Sequence, residues 1–211
     1  MTGLTTKEKR NRAIAATAFH EAGHAVAAWR FCLKFKRVTI KPDADAGSLG
    51  DVLHRVPNWF RPDIESSDRV SLRAERHIIT DFAGQLAEAK FRGRPPRFGM
   101  QSDNQSACDM AFLLCGSRET VEAYLKYCWF AARDLVNGQW PQIEVLAASL
   151  LKRQTLEYEE VLEVLEAVGE GTKMADHLSP VFRPAFPSSA IISERSSPSR
   201  FASPRPTTAR P

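Results

Sequence analysis

The sequence predicts a mostly α-helical domain with one small sheet, an α+β fold over residues 1–171, followed by a tail over 172–211. Three observations predict it. Apolar residues recur at helical spacing through most of the chain, while β-branched alternating runs are confined to residues 37–56. The segment from Leu178 to Pro211 holds seven of the 13 prolines, eight serines and few aliphatic residues. Such a composition cannot bury enough apolar surface to offset the entropy of ordering, so it is expected to be disordered.

The first helix is expected from Thr5 to Phe31. Thr5 and Glu8 can form a capping box, and Ile14, Ala18, Ala22, Ala25, Val26 and Trp29 mark one apolar face. Arg37–Lys41 alternates like a strand, and Asp51–Val56 follows after the turn-rich stretch around Gly47 and Gly50, so two or three short strands fit. A second long helix is expected over Ile64–Phe91, stopped by Gly93 with Pro95 and Pro96 behind it. Ser102 can cap a helix to Cys115 and Ser117 another ending near Gly138. Pro141 opens one through Lys152, and Thr155 or Leu156 begins the last, to Val168. Trp129, Phe130, Trp140 and the Leu/Val stripe from Leu135 to Leu165 are expected to pack helix against helix.

Composition narrows the function classes. No apolar run reaches the roughly 18 residues of a spanning helix, and Met1–Arg12 is polar and charged where a secretory signal turns apolar. A cytoplasmic protein without a transmembrane segment is expected. Cys32, Cys108, Cys115 and Cys128 form no C-x-x-C pair, which argues for small buried hydrophobes over a disulfide framework or zinc knuckle. The net charge of +4 resides in the tail, where five Arg face one Glu after residue 177. A neutral body with a basic tail does not predict nucleic-acid binding.

The chemistry lies in the first helix, at His20-Glu21-Ala22-Gly23-His24. Four helical residues turn through about 400°, so the two histidines share a face about one turn apart and can chelate one ion. Zinc suits neutral imidazole, and a catalytic zinc keeps a position open for water. Glu21 adjoins the first ligand, where its carboxylate can serve as general base without ligating. With five His and 15 Glu in the chain, this pattern arises by chance about once in a hundred such sequences. Gly23 costs the helix about 1 kcal/mol against Ala and implies close approach of backbone or ligand. Spacing leaves the third ligand open among His54, His77, Glu88 and the acids around Asp103 and Asp109.

The string His20-Glu-Ala-Gly-His-Ala-Val26 resembles the zinc helix of the FtsH and paraplegin family of AAA+ zinc metalloproteases. Val38-Thr-Ile-Lys-Pro42 with Ser48-Leu-Gly50 is similar to that family's strand and glycine-containing segment beside the active site, and Asp81-Phe-Ala-Gly-Gln-Leu-Ala-Glu88 to its glycine-alanine-glutamate helix. Gly99-Met-Gln-Ser-Asp103 resembles the segment that supplies an aspartate to zinc. The chain carries Ala89 where the family has a second acid and Gln85 where it has an arginine.

The resemblance spans about residues 14–168 and implies a zincin-like peptidase domain with a C-terminal helical bundle. It implies one Zn2+ held by His20, His24 and Asp103, with Glu21 as the base that assists attack by zinc-bound water. Glu88 is expected to hold a zinc-bound histidine through its outer nitrogen. Leu49, Gly50, Asp51 and Val52 are expected to border the cleft as a strand on which extended substrate pairs. The family's ATPase module and membrane anchor have no counterpart here, and no G-x-x-x-x-G-K-[ST] loop occurs. The expected activity is therefore ATP-independent cleavage of unfolded or flexible polypeptide, with an AAA+ ATPase or a second copy of the chain as partner. The alternative is a zincin-fold interaction or regulatory module that binds unfolded segments or an AAA+ partner without catalysis. Metal-dependent hydrolysis of a non-peptide bond is a third possibility.

Overall fold

The computed structural model describes residues 5–42, 50–54, 57–65, 67–95 and 105–171. The chain divides into two compact units, Met1–Lys173 and Met174–Pro211, and every described residue belongs to the first. The expected tail over 172–211 lies outside the described residues.

The order of elements is α1 (Thr6–Arg30), β1 (Phe35–Thr39), β2 (Asp51–His54), α2 (Asp68–Arg92), α3 (Gln105–Leu114), α4 (Arg118–Gly138), α5 (Trp140–Arg153), β3 (Thr155–Glu157) and α6 (Tyr158–Gly171). The fold is mostly helical with a small antiparallel sheet, as the sequence predicts. Thr5 and Glu8 form the expected capping box on α1, satisfying backbone donors that the first turn leaves over. Ser117 caps α4 through its side chain, and Gly93 ends α2 in the left-handed conformation at φ 63°. The cap expected on Ser102 lies outside the described residues.

Several expectations are corrected. The second long helix begins at Asp68, so Ile64 sits in the preceding turn with 72% of its surface exposed. Thr155-Leu156-Glu157 opens no helix; it forms β3, and α6 begins at Tyr158. Val38 lies opposite both Val52 of β2 and Leu156 of β3, so β1 is the central strand in the order β2-β1-β3. The burial of Phe35, Val38 and Leu156 explains why three residues suffice for the third strand. Each such side chain contributes about 1.5–3 kcal/mol when withdrawn from water. Ile14 and Phe130 are exposed rather than on the packed faces, and Cys32 is exposed while Cys108 and Cys128 are buried.

The core lies where α1 meets α2 and α5, with the sheet covering one end through Leu33, Phe35 and Val38. Among the described residues no helix is long and apolar enough to cross a membrane.

Candidate functional site

The site is built on the seam between α1 and α2. His24 meets Thr80, Gly23 meets Ala83 and Ala87, and His20 meets Glu88, so the two helices run antiparallel. A Cβ on Gly23 would stand 2.7 Å from the Ala83 carbonyl and 2.8 Å from the Ala87 Cβ. The cost of a glycine inside α1 is therefore offset by close backbone approach. Opposite it, a Cβ on Gly84 would occupy the place of the His24 ring, with Cδ2 and Cε1 each at 2.6 Å and Nε2 closer still. The missing side chain of Gly84 is what gives the His24 imidazole room.

Each imidazole is fixed by the partner of its Nδ1. His24 Nδ1 donates to the Thr80 carbonyl at 2.8 Å, which can only accept. His20 Nδ1 donates to Glu88 Oε2 at 3.1 Å. The Glu88 carboxyl is held below the usual carboxylate range by that hydrogen bond and by Arg92, whose Nε reaches Oε1 at 2.7 Å, against the opposing effect of burial. In the neutral rings both protons thus sit on Nδ1, and both Nε2 lone pairs remain for the inner side. Those two atoms face each other at 3.1 Å. Lone pairs so close repel unless a proton or a metal ion lies between them. Two nitrogens on one tetrahedral zinc at about 2.0–2.1 Å stand about 3.3 Å apart, so the pair fits such an ion.

Glu21 is buried at 6% exposure beside this pair. Its carboxylate is pressed against Gly50: a Cβ there would fall 2.6 Å from Oε1 and 2.8 Å from Cδ. Gly50 immediately precedes β2, which lies at one edge of the sheet. The structure therefore brings Gly50 next to the expected base, with Asp51 and Val52 following it in β2, paired with Thr39 and Val38 of β1, while Leu49 lies outside the described residues.

Asp103, the expected third ligand, also lies outside the described residues. Among the described residues no group of three or more His, Cys, Asp or Glu side chains is arranged to hold a metal. Of the other ligands left open by spacing, His77 stacks near Phe60 at 5.4 Å between ring centres, and Asp109 accepts from the Gln105 amide in its own helix. The backbone of His54 pairs opposite Phe35 in the sheet. Glu88 takes the outer side of His20, opposite to the nitrogen a metal would use.

Sequence reasoning missed Thr80; it quoted Asp81 and Gly84 only as part of a family-like helix and read Arg92 as one of a loop cluster of arginines, whereas Arg92 lies in α2 and donates to Glu88. Thr80 is fully buried and contributes only its carbonyl, so side-chain chemistry gives no signal for it. The role of Gly84 could have been found by the argument applied to Gly23, since it too sits inside a helix. Asp81, one turn before Gly84, is pushed up to about 7 by burial, partly offset by a hydrogen bond from Ser106 at the start of α3. No protein-family model matches the chain, and no curated protein matches it either.

Proposed function

We propose that this chain is a zinc-dependent endopeptidase that cleaves unfolded or flexible polypeptide segments. The observation that carries the reading is the convergence of His20 Nε2 and His24 Nε2 at 3.1 Å, with both Nδ1 atoms turned outward to fixed acceptors. His20, His24 and Asp103 would hold the ion in a zincin-like domain of the FtsH and paraplegin type. When bound, zinc supplies Lewis acidity to the scissile carbonyl and to the attacking water.

The remaining work falls to the chain's own groups. Glu21 takes a proton from the attacking water as its oxygen bonds to the carbonyl carbon, and delivers it to the amine nitrogen as the C–N bond breaks. Burial and the contact with Gly50 restrict the Glu21 carboxylate to one position, which limits the reorganisation this transfer requires. Glu88 holds the ring of His20 in its tautomer, and the hydrogen bond to His20, with help from Arg92, keeps Glu88 ionised. The edge strand β2 offers backbone groups to an extended peptide entering beside Glu21. Pairing of that kind selects extended chain over compact folds, and the sequence holds no phosphate-binding loop to drive unfolding.

Incubation with casein tests this reading. Cleavage is expected without ATP, to stop on treatment with a zinc chelator and to return on zinc addition, while a tightly folded protein stays intact. Cleavage indifferent to the chelator would exclude the zinc reading.

A further inference from the structure

A second feature of the α1–α2 pair adjoins the site through Arg92. A cavity of about 210 Å³ is lined by Lys9, Arg12 and Ala13 of α1 and by Arg92 and Arg94 at the end of α2. Four cations line it and no acid does. Among the described residues, Lys9, Arg12 and Arg94 enter no ion pair; Arg92 gives its Nε to Glu88. Like charges gathered in one hollow repel, and an anion entering it relieves that repulsion.

The lining also includes one residue on the same face of α1 as the candidate centre. Ala13 and His20 are seven residues apart, nearly two helical turns, so they share a face of α1 about 10 Å apart. An extended peptide covers that distance in about three residues. The first 177 residues are neutral overall, with 24 basic and 24 acidic residues, and the lining carries no aromatic side chain. The cations therefore form one local pocket rather than the long basic stripe that a nucleic-acid backbone requires. The segment after residue 177, with five Arg and one Glu, has the wrong charge to fill it.

We infer that the cavity formed by Lys9, Arg12, Arg92 and Arg94 is an anion subsite that receives an acidic side chain of the polypeptide substrate, about three residues from the bond cleaved. The inference rests on the peptidase reading for the path of the peptide. It adds a preference for acidic segments that the metal centre does not provide.

The test uses two labelled unstructured peptides, identical except that one has Glu where the other has Gln. Binding is measured by fluorescence anisotropy on the zinc-loaded full chain carrying Glu21→Gln, so that no cleavage intervenes. The acidic peptide is expected to bind about three- to tenfold more tightly, less so as salt is raised. The preference should fall to near one on adding Lys9→Gln with Arg94→Gln, and survive Lys9→Arg with Arg94→Lys. Equal binding of the two peptides, or a preference that survives the glutamine pair, would overturn the inference. In the otherwise unaltered chain the ratio of kcat/KM for the two peptides should fall with the same pair. If neither peptide is cleaved, the peptidase reading fails, and the binding preference still decides whether the subsite exists.

Discussion

Two histidines four residues apart are common on helices, and what distinguishes His20 and His24 is the company their rings keep. The Thr80 carbonyl and the Glu88 carboxylate take the outer nitrogens, and Gly84 leaves the His24 ring its space. A methyl at position 84 has to displace a ring nitrogen or move α2. Gly84→Ala is accordingly expected to lower zinc affinity and casein cleavage by about a hundredfold, the scale of loss that an ångström of misplacement produces. Zinc content after dialysis and the cleavage rate check this; wild-type values for both would show that His24 does not need the glycine. Asp81 gives a second expectation. Its folded-state pKa of about 7 lies above the ordinary aspartate value, so the folded protein holds a proton there that the unfolded chain has released. Stability is therefore greatest below about pH 4 as far as this group is concerned, and declines as pH rises toward 7. Asp81→Asn should remove that slope in urea titrations between pH 4 and 7; an unchanged slope would place the proton elsewhere.

The helices and strands show which features a sequence discloses. The capping box of Thr5 and Glu8, the Ser117 cap and the stop at Gly93 are local arrangements, complete within a few residues, and each falls where the sequence puts it. The strand β3 is not legible in that way. Thr155-Leu156-Glu157 is short, is enclosed between helices, and has its partner more than 110 residues earlier in β1. Only long-range pairing identifies it. The site divides along the same line: His20, Glu21 and His24 are visible because one helix carries them, whereas the roles of Thr80 and Gly84 arise only when α2 docks. Because Leu156 is the one fully buried side chain of β3 and lies opposite Val38, Leu156→Ala should destabilise the fold by about 2–5 kcal/mol in equilibrium urea unfolding. A loss below 0.5 kcal/mol, which is the order seen for surface substitutions, would mean that β3 adds little to the sheet.

Taken as one molecule, the fold sets the α1–α2 seam, with the paired imidazoles of His20 and His24, beside the edge strand β2 of the described sheet. The α1–α2 seam holds the imidazoles, Gly50 lies against Glu21, and β2 runs away from that point along the edge. A peptide paired with β2 would enter next to Glu21, the proposed general base, and the cationic cavity lies farther along α1. On the proposed reading, substrate selection divides between extended conformation at the strand and charge at the cavity, with the chemistry at the seam. In the same proposed reading, Glu21 moves a proton and leaves metal binding to His20, His24 and Asp103. Its most direct test compares wild type with Glu21→Gln for bound zinc and for cleavage of casein. Equal zinc is expected in both, with cleavage in the variant reduced at least a hundredfold by loss of its general base. Casein cleavage at the wild-type rate by Glu21→Gln, or no zinc in either protein, would contradict this reading.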